Sequence, residues 1–403
     1  MSKASILSCT FVLSLGFSAP TLAQQNQPVL PAGEGRETVQ AICTGCHGLN
    51  QIVNATGYAE SEWRALFGTM IDLPQTEEDA VAQYLAANFP PKNDRPPVLM
   101  PGDVEVRIIE WIAPTLGQRS RDSVEAPDGS IWWTGMWGNL VGRLDPATGE
   151  MREFPLPAGA EPHTIVPDHD GNIWYTGNGN ATIGRLDPAT GEVAEFPTEA
   201  RDPHSAVFHP NGNLYFTAQG ARMIGRLNPA TGDLLEVATE ANPYGITVDS
   251  DGTVWVAHNG TNKIAAVDPD TLAIRYYDLP DPASRVRRLD ISSDGMVWFG
   301  NGPLGRIGRL NPETGEVTEW PTPSGPRSAP YALLVMNDIV WFNESGMRPD
   351  ALVRFDPATE TFQSWAIPSG VGIIRNMWET RAGDLLIHQT SSNRIGLVEI
   401  GSD

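Results

Sequence analysis

The chain has 403 residues, 40% of them hydrophobic, and a formal charge of −22 from 49 acidic against 27 basic side chains. That length and apolar content bury a large core and exclude general disorder, while the charge repels phosphate backbones and anionic lipid, so no nucleic-acid partner is expected. With 40 Gly and 34 Pro and no collagen-like period, the composition fits many short strands joined by turns.

At the N-terminus, Lys3, the apolar run from Phe11 to Phe17 and Thr21-Leu22-Ala23 follow the order of a secretory signal. This predicts a signal peptide over 1–23 and a periplasmic product. No other run approaches the roughly 20 apolar residues that cross a bilayer, so no membrane span is expected.

Beyond the signal only two cysteines remain, both in Cys43-Thr44-Gly45-Cys46-His47. Two thiols at this spacing can form thioether links to the vinyl groups of haem, with the next histidine ligating the iron. A disulfide or thioredoxin-like pair competes, but such a motif opens a helix after a strand, and nothing before Cys43 reads as a strand. Zinc needs about four ligands where three cluster. Helices are predicted over 35–42, 60–70 and 76–88, with Thr76 and Asp79 forming an N-terminal cap.

The series Cys43, Cys46, His47, Ile52, Trp63, Met70, Leu73 and Tyr84 resembles the short cytochrome c domains attached to several periplasmic oxidoreductases. The resemblance implies a small all-α haem domain over 30–90, holding one covalent haem c with His47 and Met70 as axial ligands. Met100, before Pro101, is the rival thioether. The Pro-rich run that follows Phe89 predicts a semi-rigid linker over 91–104.

From there the chain repeats. Gly142-Arg143-Leu144-Asp145-Pro146 returns at 184–188, 225–229 and 308–312, with looser copies at 265–269 and 353–357 and a last one from Gly396 to Glu399. The acidic or amide positions Asp145, Asp187, Asn228, Asp268, Asn311, Asp356 and Glu399 are 42, 41, 40, 43, 45 and 43 residues apart. Short strand signals separated by Asp-Gly and Ala-Thr-Gly turns make each unit a four-stranded meander, so the expected fold is an all-β seven-bladed propeller over 105–403. The recurring Trp132, Trp174, Trp255, Trp298 and Trp341 read as packing between blades. The last unit lacks an outer strand, and residues 107–114 have that character, so they are expected to complete it and close the ring.

In a meander the loop entering the innermost strand and the loop after the second strand share one face. The residue seven before each Asp-Gly turn is Arg121, His163, His204, Tyr244, Arg287, Tyr331 or Arg375, allowing for divergent turns in the last two units. A second set, three after the recurring aromatic, contains His258 and Glu344 beside Gly135, Gly177, Ala218, Asn301 and Gln389. Both sets are expected to ring the channel mouth as a ligand site.

The Asp-Gly-x-Ile-Trp and Ile-Gly-Arg-Leu-Asp-Pro repeats resemble the streptogramin B lyase family, seven-bladed propellers that open cyclic depsipeptide antibiotics by metal-assisted elimination. Glu161-Pro162-His163 matches that family's Glu-x-His motif, and His204 with Asp202 repeats it one blade later. The resemblance implies that these residues hold a divalent metal such as Mg2+ or act as acid and base. The family's further glutamate would fall fourteen residues after the histidine, where this chain has Gly177 and Ala218. Three functions follow in order of preference: a haem c oxidoreductase whose propeller binds a small anionic or oxygen-rich substrate, a metal-dependent lyase carrying a cytochrome, and an electron carrier whose propeller docks a redox partner protein.

Overall fold

The computed structural model describes residues 29–45, 48–55, 57–68, 71–90, 95–115, 117–370 and 372–401. The expected signal peptide, Cys46, His47 and Met70 lie outside the described residues.

The N-terminal region is helical: α1 (Arg36–Cys43), α2 (Leu49–Asn54), α3 (Glu60–Gly68) and α4 (Gln75–Asn88). Gly35 opens α1 at φ 84, and a Cβ there would meet the Ala80 carbonyl oxygen at 2.6 Å, so only glycine lets α1 approach α4 this closely. Val39, Ile52, Tyr58, Trp63, Val81 and Leu85 form the core, and the half-buried Cys43 packs against it. Arg64 ties α3 to α4, reaching Glu60 and Asp79 at 2.7 Å each and Glu78 at 3.3 Å. Two expectations are corrected. The α2 turn carries too short a pattern to have been read, and the α4 cap falls at Pro74 without a side-chain bond. Asp79 instead accepts from Gln75 Nε2 at 3.0 Å.

The run expected as a spacer is docked along the propeller wherever it is described. Arg348 donates its N–H to the Arg95 carbonyl at 2.7 Å, and Met100 exchanges bonds with Ser364, its N–H reaching Oγ at 2.8 Å and its carbonyl accepting the Ser364 N–H at 3.0 Å.

Seven four-stranded antiparallel sheets form the propeller. Blades 1 to 7 begin with inner strands Ser120–Glu125, Pro162–Pro167, Pro203–Phe208, Pro243–Val248, Val286–Ile291, Pro330–Met336 and Ile374–Glu379. The strand Val106–Ile112 pairs with Arg394–Ile400 at the outside of blade 7, from Val106 against Ile400 to Ile112 against Arg394. Every sheet edge within the ring is thus assigned to a blade.

The repeated residues each do one local job. Asp145 Oδ1 accepts the Ala147 N–H at 2.9 Å, and Asp187, Asn228, Asp268, Asn311 and Asp356 hold the same turn in their blades. Asp168 accepts from the Asn172 N–H and from Trp174 Nε1, and Asp249 does the same for Thr253 and Trp255, so one carboxylate fixes both turn and tryptophan. A Cβ at Gly142, Gly184, Gly225 or Gly308 would fall 2.0 to 2.2 Å from the ring of Trp133, Tyr175, Phe216 or Phe299. The repeat glycine is therefore the space in which the preceding strand's aromatic lies. The recurring tryptophans are buried among residues of two neighbouring blades, as with Trp132 between Val124 and Ile165.

Candidate functional site in the propeller mouth

All seven inner strands carry a register shift between their first and fourth residues. A bulge there releases two consecutive residues from pairing, and both turn to the channel. The first of each pair is Arg121, His163, His204, Tyr244, Arg287, Tyr331 or Arg375, and all seven line one cavity of about 280 Å³ together with Arg119, Met136, Asn178, Asp202, Gln219 and Asn259.

Threonines on the second strands hold this ring. Thr176 Oγ accepts the Thr164 N–H at 2.9 Å and donates to the His204 carbonyl at 2.8 Å, so it fills one blade's bulge and fixes the next blade's histidine. Thr134 does this for Asp122 and His163, and Thr217 for Ser205 and Tyr244. In blade 6, Asn343 accepts the Ala332 N–H at 2.8 Å.

The mouth has two unlike sides. On blades 2 to 4 the rings of His163 and His204 lie 3.7 Å apart, with Tyr244 4.2 Å beyond His204. Burial holds both imidazoles well below their ordinary pKa, helped for His163 by His204 and Arg121 and for His204 by Arg288 and Arg121, so both are neutral bases at pH 7. On blades 5 to 1 the side is cationic. Arg287 and Arg375 lie 4.7 and 5.3 Å from the Tyr331 ring centre, and Arg375 donates to the Tyr331 hydroxyl at 3.0 Å. Burial opposes ionisation of Tyr331, but Arg375 and the hydrogen bond from the Tyr244 hydroxyl outweigh it and hold its phenol below the usual 10. Burial, then Arg375 and Arg119, bring the Arg121 guanidinium down to about 10.

The second residue of each bulge forms a level below the mouth that the sequence analysis did not find. There Arg288 meets Asp122 at 3.6 Å, donates to Ser205 Oγ at 3.0 Å and to the Arg375 carbonyl at 2.9 Å, while Thr164 donates to Asp122 at 2.7 Å. Gly245 makes the room, since a Cβ there would meet the Arg287 carbonyl oxygen at 2.4 Å and stand 3.3 Å from Arg288 Cδ. Burial raises the Asp122 carboxyl and Arg288 opposes it. Arg288 also lines a smaller cavity of about 110 Å³ together with Asp290.

Three expected site residues stand elsewhere. Glu161 is exposed at φ 44 in the entry loop, its N–H donating to Asn139, and it does not line the cavity. His258 and Glu344 end second strands, one strand farther from the axis, and their side chains fasten the loop entering their own blade. His258 Nδ1 lies 3.2 Å from the Ala241 carbonyl, and Glu344 accepts the Ser324 N–H at 2.8 Å and its hydroxyl. Asn301 and Gln389 do the same with Ser284 and Ser369.

The repeats match the virginiamycin B lyase family model over residues 103–238 and 230–403. The chain belongs to the virginiamycin B lyase family. Among solved structures, a streptogramin B lyase is 25% identical, with 73% of this chain and 98% of that chain covered at a TM-score of 0.66. A catalytically inactive histidine-to-alanine variant of virginiamycin B lyase from Staphylococcus aureus with quinupristin is 23% identical over 73% and 99% at 0.65. Hydrazine synthase of Kuenenia stuttgartiensis shares the fold at 13% identity over 70% and 94% with a TM-score of 0.58. None of the curated proteins matches this chain. Within the family's Glu-x-His motif, His163 stands in the mouth and Glu161 outside it. Among the described residues, no three His, Cys, Asp or Glu side chains gather as metal ligands.

The helical region sits on the mouth side of the ring. Ile112, at the end of the closing strand, packs against the helical core, and its pairing partner Arg394 donates to Glu62 at 2.5 Å and lies 4.9 Å from the Tyr58 ring centre. Both residues are at the end of blade 7 where the inner strands begin. Next to Arg394, the buried Tyr58 hydroxyl and Trp63 Nε1 have no hydrogen-bond partner among the described residues. No helix among the described residues is long and apolar enough to cross a membrane.

Proposed function

We propose that this protein is an exported haem c oxidoreductase whose substrate enters the propeller mouth and whose electrons pass through the helical region to a redox partner protein. The observation that carries this reading is the docking of the helical region, which bears the Cys-x-x-Cys-His motif, on the same face of the ring as the mouth. Cys43, Cys46, His47 and Met70 would hold the haem. The residues present fit such a group: α1 brings Cys43 against the helical core, and two buried donors, Tyr58 and Trp63, lack the acceptors that an anionic edge would supply. When bound, haem c supplies reversible one-electron transfer.

The chain's own residues account for the remaining steps. The arginines bind and orient an oxygen-rich substrate, the neutral His163 and His204 accept protons, and the Tyr331 hydroxyl is hydrogen-bonded to that of Tyr244.

The test begins with the pyridine haemochrome spectrum of the purified, exported protein, which should show two thioether links. Met70→Ala should then abolish the sulfur-to-iron charge-transfer band and lower the reduction potential, whereas Met100→Ala, at a position tied to blade 6, should do neither. The reverse result would reassign the ligand. Small molecules are next screened for reduction of the oxidised haem, with and without divalent metal. Family membership favours a second reading as a metal-dependent lyase, for which turnover would require the metal and leave the haem spectrum unchanged.

A further inference from the structure

We propose that the propeller mouth binds a small dicarboxylate, gripped by Arg121 and Arg375 on blades 1 and 7 and by Arg287 on blade 5. The inference rests on reading the mouth as a ligand site and is independent of haem.

Four guanidinium groups, from Arg119, Arg121, Arg287 and Arg375, line one cavity. Among the described residues none of the four makes an ion pair with a carboxylate, although the chain carries 49 acidic residues. Arg121 is only 6% exposed, and both its Nε and that of Arg375 are buried without an acceptor. The one carboxylate in the lining, Asp202, is already occupied by the N–H groups of Gly220 and Ala221. One level down, Arg288 has its own carboxylate in Asp122. The fold thus supplies an anion where an arginine is structural and withholds it where the cavity is open. Clustered like charges shielded from water are costly until an anion joins them.

The arrangement also limits what the anion is. Planar forks match carboxylate oxygens in bidentate fashion. With cations on three separate blades, one carboxylate would leave guanidinium groups unpaired, whereas two separated carboxylates reach both sides of the cationic arc. The cavity, about 280 Å³, lies at the small end of the range for ligand pockets, which suits a short chain of carbons. The stacked, neutral His163, His204 and Tyr244 offer the uncharged midsection a flat polar wall.

The experiment is calorimetric titration of the full-length protein with oxalate, malonate, succinate and glutarate, and with acetate and sulfate for comparison, at low and high salt. At least one dicarboxylate should bind about tenfold or more tightly than acetate and sulfate, and more weakly as salt rises. Arg121→Gln and Arg375→Gln should each weaken it by at least about tenfold. Arg287→Gln alters a half-buried side chain, so it keeps the test decisive if Arg121→Gln does not fold, and it should show a similar loss. The proposal is overturned if no dicarboxylate exceeds acetate, if sulfate binds equally well, or if the double variant Arg121→Gln/Arg375→Gln in folded form binds as the parent does. Binding that persists in haem-free protein alongside a negative haemochrome would retain this inference while rejecting the redox reading.

Discussion

Arg121 and Arg288 occupy successive levels of one channel, yet only the lower one faces a carboxylate. Removing that partner should therefore be expensive: Asp122→Ala leaves Arg288 buried and uncompensated, and a loss of about 3–5 kcal/mol is expected from chemical denaturation. In the double variant with Arg288→Met the losses should fall short of their sum by at least about 1 kcal/mol, and simple additivity would show that the two side chains do not interact. His388 poses a different problem. It is fully buried in blade 7 with neither ring nitrogen bonded to any described residue, and burial brings its pKa down to about 3. The unfolded chain takes up this proton below about pH 6.5 and the folded chain does not, so the stability present above 6.5 drains away by about 1.4 kcal/mol per pH unit as pH falls. His388→Leu lacks this term. Its stability relative to the parent should improve by about 2 kcal/mol between pH 7 and pH 5, and parallel pH profiles would contradict the assignment.

At the scale of the strand, the bulge decides which side chains meet in the channel. Thr176 holds both a bulge N–H and the neighbouring His204 carbonyl, so Thr176→Val leaves two buried groups unpaired and should cost about 2–4 kcal/mol. Thr176→Ser keeps the hydroxyl and should recover most of it, measured as denaturation midpoints. The period of the fold was legible because Asp168, Trp174 and Gly184 each answer a local demand of turn, core or ring contact that recurs in other blades. The upper ring was legible for the same reason, since it stands at a nearly fixed offset from the Asp-Gly turn. Counting three residues on from the recurring aromatic, and taking both loops of that face to line the channel, misplaced His258 and Glu344, whose strand lies outside the inner one. Such counting also missed Asp122 and Arg288, because a bulge directs consecutive residues to the same side and no residue type announces it. A signal was present in the threonine of Trp-Trp-Thr-Gly, Trp-Tyr-Thr-Gly and Tyr-Phe-Thr-Ala. An inward-facing hydroxyl repeated beside core aromatics marks a backbone that needs a partner.

For the whole molecule, the strand 106–112 is the element on which ring and helical region both depend. Deleting residues 105–114 should expose the edge at Arg394–Ile400 and cause aggregation or a large fall in melting temperature. A deletion variant that stays monomeric and melts unchanged would show that the ring does not need this strand. The closing contact joins Arg107 to Glu399, 292 positions apart. Such a contact cannot form while the chain is still emerging, so an incomplete propeller waits with two open edges until residues 394–400 arrive. The same residues carry Arg394, the anchor of the helical region. Sealing of the ring and seating of the helices are consequently a single late event in folding, and a chain cut short before residue 394 would forfeit both at once.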